Sequence, residues 1–186
     1  MSGWHRPDQD PFVDLSDEAA HDAAVRSWTE VRDRTARASR TATWIGTLRD
    51  LAERELEVSV TTASGRRHRG ALVGIATDHL ALRGGGARRV LVALQAVRVV
   101  RPEPGGRLGE MTGHRSPPVD QTLADALDRC AEENLAVTVV LDGVTEPLQG
   151  YPVSIGEDVL TLRLTAGEPA RVLLPVAAVV EVIFDA

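Results

Sequence analysis

Lysine is absent from this 186-residue chain; all 21 basic residues are arginine. The Gly84-Gly85-Gly86 run therefore lacks the Lys-Ser/Thr that completes a phosphate loop, and without a strand-to-helix setting it reads as a flexible hairpin tip. Arginine-only usage reads as coding bias, although the guanidinium suits planar contact with phosphate or carboxylate. Cysteine occurs once, so Cys130 can form no internal disulfide, and its place on an apolar stripe makes it a small buried hydrophobe. Aromatic residues make up 3% of the chain, which leaves few platforms on which unpaired bases could stack. No apolar run approaches the roughly 18 residues of a membrane span. The start, Met-Ser-Gly-Trp-His-Arg-Pro-Asp, lacks a signal-peptide core, so the cytoplasm is the expected compartment and no membrane contact is expected. Five histidines and one cysteine show no metal-ligand spacing, and no nucleophile motif occurs, so neither an enzyme, a metal nor a cofactor is expected.

What the chain does contain is the same unit twice, offset by roughly 80 residues. Trp44, Leu48, Leu51 and Ala52 are matched by Leu123, Leu127, Cys130 and Ala131, and Val58 and Val60 by Val137 and Val139. Gly70, Ile75, Asp78, Leu80 and Leu82 are matched in turn by Gly150, Ile155, Asp158, Leu160 and Leu162. Leu91, Val92, Ala96 and Val97 find their matches in Leu173, Leu174, Ala178 and Val179. Units of about 60 residues are marginal alone, so the copies are expected to pack on each other or on another chain.

Each copy opens with apolar residues at i, i+4, i+7 and i+8, the stripe of a short one-sided helix. Strands follow. Val58 and Val60 alternate with polar neighbours, Gly65 turns the chain, and Arg67 to Ile75 form a second strand with Gly70 inside it, where a glycine marks a bend or bulge. Asp78-His79 turns into Leu80 to Arg83; Val90 to Leu94 and Ala96 to Val100 finish the unit, with a tight kink at Gln95. The second copy repeats this through Asp142-Gly143, Gly150, Asp158 and a final pair at Val172 to Leu174 and Ala177 to Phe184. Pro152 and Pro175 cannot donate to a ladder and belong at edges or bends.

Around the repeats, residues 1–15 read as a flexible leader. Ser16, followed by Asp17 and Glu18, starts a helix over 16–42 whose stripe of Ala24, Trp28, Val31 and Thr35 makes Trp28 a candidate for docking on the rest of the chain or on a protein partner. The Pro- and Gly-rich segment 103–119 reads as a linker between a first domain at 43–102 and a second at 120–186. Net charge is −6 and unevenly spread: −2 over residues 1–42, +5 over 43–102 and −9 over 103–186. A polyanion would thus meet the first copy, and equally the basic and acidic copies would attract each other.

The fold class expected is mainly β with helices. A short helix followed by five bent strands, with a glycine in the second, an aspartate before the third and a two-strand ending broken by one or two residues, resembles the Sm-like family. The stretch from Ser64-Gly65 through Gly70, Asp78-His79-Leu80 and Val90 to Pro102 looks most like the bacterial RNA-chaperone (Hfq) branch. The resemblance covers residues 43–102 and, more weakly, 120–184, and extends to tandem proteins of actinobacterial type. It implies two tandem Sm-like small β-barrels, each preceded by its helix, which add strand edges to a neighbour's to build RNA-binding rings. Three chains could close a six-barrel ring, or two chains could cap each other. The chain departs from the Hfq pattern where a Tyr-Lys-His run should precede the last strand: Ala93, Leu94 and Gln95 stand there, and Pro175, Val176 and Ala177 in the second copy.

The densest basic run, Arg66, Arg67, His68 and Arg69, together with Arg88 and Arg89, supplies the candidate RNA contacts. The competing reading of the same residues is a solvated hairpin tip or an interface with the acidic copy. His79 beside Asp78 is the one acid-base couple, but its counterpart is Asp158-Val159, so the aspartate is explained as turn chemistry. The expectation is a non-enzymatic assembly protein, homo-oligomeric through strand edges, that takes RNA on its first copy; the alternative is a protein-interaction scaffold without nucleic acid.

Overall fold

A computed structural model describes residues 42–104, 120–166 and 170–186. The leader at 1–15, the helix expected over 16–42 (Ala42 apart) with Trp28, and the linker beyond Pro104 lie outside the described residues.

The described chain is mainly β, with two short α-helices. Helix α1 spans Trp44–Glu53 and is followed by β1 (Glu57–Thr62), β2 (Arg67–Ile75), β3 (His79–Arg83), β4 (Arg88–Ala93) and β5 (Val97–Pro102). Helix α2 spans Leu123–Glu132 and leads into β6 (Val137–Leu141), β7 (Leu148–Ile155), β8 (Val159–Leu164), β9 (Arg171–Pro175) and β10 (Val179–Asp185). A single 3-10 turn, Leu94–Ala96 or Val176–Ala178, makes the kink before each last strand, taking in residues whose apolar pattern reads as strand.

All ten strands belong to one open antiparallel sheet in the order β5-β1-β2-β3-β4-β10-β6-β7-β8-β9. The second half of that order repeats the first: the last strand of each copy lies beside its own first strand, followed by the second, third and fourth. One seam joins the copies, where β10 pairs with β4 from Glu181 opposite Val92 to Asp185 opposite Arg88. Strands β5 and β9 are left as the two edges of the sheet.

Local chemistry accounts for the elements. Thr43 caps α1, its hydroxyl accepting from the Gly46 amide at 3.0 Å, and Thr122 and Asp125 form a reciprocal capping box on α2. The stripes then bury Leu48, Leu51 and Ala52 on one helix and Leu123, Leu127 and Cys130 on the other, against β2 and β7. Trp44 departs from its stripe and is 49% exposed, because nothing among the described residues covers the start of α1 as the first copy covers Leu123.

Gly70 and Gly150 sit where the third strand's backbone comes closest: a Cβ at either would collide with the carbonyl oxygen of Arg83 or Arg163. The bends themselves come two residues later, as bulges between Leu72 and Gly74 and between Pro152 and Ser154. Pro152 thus lies beyond the last β6 partner, Gly150, and Pro175 ends an edge strand, as proline's missing donor requires.

Each copy has its own apolar core, and the seam ties them by exchange. Leu91 of β4 packs into the core of the second copy with Leu127, Val139 and Leu160. Ile183 of β10 packs into that of the first with Leu48, Val58 and Leu72. Burying a side chain of that size stabilises by roughly 1.5–3 kcal/mol, so the seam holds as a core does rather than as a loose contact.

Candidate functional site

At the seam lies a group that apolar patterning conceals. Glu181 follows Val179 and Val180 and precedes Val182, Ile183 and Phe184, and its side chain is fully buried. A carboxylate taken from water is tolerated only when its lone pairs are satisfied. Strand β10 points Glu181 across the seam into the β1–β2 hairpin of the first copy, which supplies four partners. The hydroxyls of Thr62 and Ser64 both donate to Oε1, the second at 2.8 Å. His68 Nε2 donates to Oε2 at 2.7 Å, and Arg66 Nε lies 3.2 Å from the same oxygen.

Burial pushes the Glu181 carboxyl up, but the hydrogen bonds from His68, Thr62 and Ser64 and the charge of His68 outweigh it, holding the group below the usual glutamate value. Hydrogen bonds to a charged group contribute roughly 1.5–3 kcal/mol each, so the cluster locks the two copies in one register. Because Glu181 is sealed from solvent, the cluster offers no face to a substrate.

The arginine run is divided by the pleat of β2. Side chains alternate across a strand, so His68 turns inward to Glu181 while Arg67 and Arg69 face solvent. Arg69 pairs with Glu103 at 3.5 Å, and Arg66, 40% exposed, leans over the edge of the buried cluster. Arg88 is exposed and Arg89 half-buried at the start of β4, two strands away from β2 in the sheet. Of the six candidate residues, the structure thus brings Arg66 and His68 together on Glu181, leaves Arg67 and Arg69 in solvent, and sets Arg88 and Arg89 at the seam, Arg88 beside Asp185 and Arg89 in a pocket shared with Arg129 and Glu133 of α2. Sequence patterning passed over Glu181, although one signal was present: an acid in an apolar strand where the other copy has Val99.

A second polar tie crosses the seam at Asp78. Its Oδ1 accepts from the Leu123 amide at 2.8 Å, at the start of α2, and lies 2.9 Å from Nδ1 of the buried His79. The main-chain oxygens of Asp78 and Asp158 both accept the first amide after the fourth strand, at 2.8 Å, a backbone bond that any residue at these positions could make. Asp78 adds to that a join between the copies.

An open cleft of about 330 Å³ lies at the end of the seam, lined by Arg88 of the first copy and by Thr138, Gln149, Thr165 and Asp185 among others of the second. Among the described residues no group of three His, Cys, Asp or Glu side chains could hold a metal ion, and no helix is long and apolar enough to cross a membrane. The chain matches no known family model, and comparison with curated proteins finds no match.

Proposed function

We propose that this chain is a non-enzymatic assembly protein of the cytoplasm, made of two tandem Sm-like small barrels that build larger assemblies by pairing strand edges. The observation that carries this reading is the β4–β10 seam. It joins the fourth strand of one copy to the last strand of the next, and leaves unpaired one last strand, β5, and one fourth strand, β9. A second copy of the chain offers each of these edges the kind of partner the seam already uses. Leu173 on β9 is 72% exposed, whereas its counterpart Leu91 is buried in the seam, which is the mark of an edge awaiting cover. Such a head-to-tail contact closes into a ring, with three chains giving six units or two chains capping each other.

RNA contact belongs to this proposal through Arg67 and Arg69 on β2 and Arg88 and Arg89 at the start of β4, all on the basic first copy, with Arg66 at the edge of the buried cluster. The competing reading, a protein scaffold without nucleic acid, is favoured by one observation: His68 and Arg66 are turned to Glu181, and Arg69 to Glu103. Association with an RNA pool at two salt concentrations, with the mass in solution recorded in the same run, separates them. Binding that weakens steeply with salt and is lost in an Arg67→Ala/Arg69→Ala/Arg88→Ala/Arg89→Ala variant supports RNA contact. Self-association with no RNA bound at low salt leaves the scaffold, and a monomer at every concentration overturns the assembly reading.

A further inference from the structure

Because the copies share one strand order, each residue of the seam has a counterpart at the outer edges, and the ladders fix which it is. Val60 pairs with His68 and Val100, while Val139 pairs with Leu148 and Val182, so His68 corresponds to Leu148. Thr62 lies opposite Val97 as Leu141 lies opposite Val179, which matches those two residues and, two places into the following turns, Ser64 with Gly143. Two places before His68 and Leu148 stand Arg66 and Glu146. The last strands align Glu181 with Val99.

The exchange is complete. The four side chains that serve Glu181 correspond to Leu141, Gly143, Glu146 and Leu148, none of which can donate to a carboxylate, and the carboxylate corresponds to a valine. Beside it, Val180 packs on Ala63, Ala93 and Ala96 at the seam, whereas its counterpart Arg98 faces an edge where Ala63 corresponds to Asp142. The outer edges therefore match each other: valine for leucines and arginine for aspartate.

Resting on the assembly reading above, we propose that β5 of one chain pairs with β9 of a second copy, Val99 opposite Leu174, and that the polar seam and apolar outer joint together force the two units to alternate. A β5 that displaced β10 from β4 would pair first copy with first copy, setting Val99 against Thr62, Ser64 and His68 and leaving their donors unmet. A β10 that left β4 for the β9 edge of another chain would pair second with second, burying Glu181 among Leu141, Leu148 and Glu146 without a donor. The exposed apolar side chains fall where this joint needs them. Leu173 at 72% and Trp44 at 49% correspond to Leu91 and Leu123, which the seam reduces to 7% and 2%. Val99, at 48%, lies on the facing edge. The Asp78 tie to Leu123 is offered again by Asp158 of the chain that presents β9, facing the start of α1 in the chain that presents β5.

The test is the mass in solution of the full-length chain, as wild type, Val99→Glu, and Val99→Glu/Leu141→Thr/Glu146→Arg/Leu148→His. Wild type is expected at a multiple of 20.0 kDa. Val99→Glu is expected to fall to the monomer while keeping its folded circular dichroism, since Val99 stands on an exposed edge, and the fourfold variant, with the counterparts of Thr62, Arg66 and His68 restored, to regain the wild-type mass. Wild-type mass in Val99→Glu overturns the alternation device and leaves edge assembly standing. A folded fourfold variant that stays monomeric overturns the residue correspondence. A monomeric wild type overturns edge assembly and this proposal with it.

Discussion

His68 Nε2 and Glu181 Oε2 stand 2.7 Å apart across 113 residues of sequence, and their contact joins the first copy's second strand to the second copy's last. Neither is at home in an apolar interior alone. Together with Thr62, Ser64 and Arg66 they turn a buried carboxylate from a liability into the feature that fixes how the two copies meet.

Glu181→Ala should therefore lower stability by about 3–5 kcal/mol, because it strands three buried or half-buried donors at once. Glu181→Gln, which keeps an acceptor oxygen, should cost less. Importing the chemistry of the outer edge, Thr62→Leu/His68→Leu/Glu181→Val, should recover much of the loss, since a buried ion pair exchanged for packed apolar groups is often near neutral. Urea unfolding of the three variants checks the order; equal losses would show that the cluster is not coupled.

The same carboxylate sets an acid limb. Its folded pKa lies below the ordinary value of 4.5, so the unfolded chain takes up the proton first as pH falls. The stability that Glu181 contributes is present in full above about pH 4.5 and is lost as pH drops through the lower folded value. Unfolding free energy measured from pH 7 to pH 3 should fall more steeply for wild type than for Glu181→Gln, the curves converging at the acid end. Parallel curves would mean that the carboxyl is not held ionised.

How far the fold could be read beforehand follows from the range of each signal. Strands such as Val58 to Thr62, the two helix stripes and the matched glycines are local patterns, and the repeat offset lays out the order of elements in both copies. Glu181 was not readable in that way: its donors lie 113 to 119 residues away, and no local rule connects them. The Arg66 to Arg69 run looks like one patch in sequence, yet the two-residue period of β2 divides it between a buried cluster and solvent. Periodicity likewise shows ten strands but not their neighbours. That β10 pairs with β4 and leaves β5 and β9 as edges is a property of the folded sheet.

Cys130 should behave as an inert thiol. Burial, with Glu133 adding to it, pushes its pKa up to about 11, and the residue is 3% exposed on the inner face of α2. Almost no thiolate exists at neutral pH, so a thiol reagent should label native protein far more slowly than protein in urea. Equal rates would mean that α2 opens readily from β7.

Gly70→Ala and Gly150→Ala should each destabilise by roughly 1–3 kcal/mol or more, since the added methyl meets a backbone carbonyl that cannot rotate away. Gly74→Ala, with open space around its Cβ position, is the control and should cost little. Thermal unfolding of the three variants distinguishes a steric cause from the ordinary effect of adding a methyl to a strand; equal shifts would remove the close approach as the reason for glycine.

Leu91 and Leu173 hold the same place in the two copies, one 7% and the other 72% exposed. The same substitution should therefore act on different properties. Leu91→Glu places a charge in the core of the second copy and should cost the fold at least about 3 kcal/mol. Leu173→Glu stands in water and should leave the melting temperature of the dilute chain within a degree or two, while removing whatever larger species the wild type forms. If both variants melted alike, the β9 edge would already be covered within a single chain, and the seam could not serve as the pattern for a joint between chains.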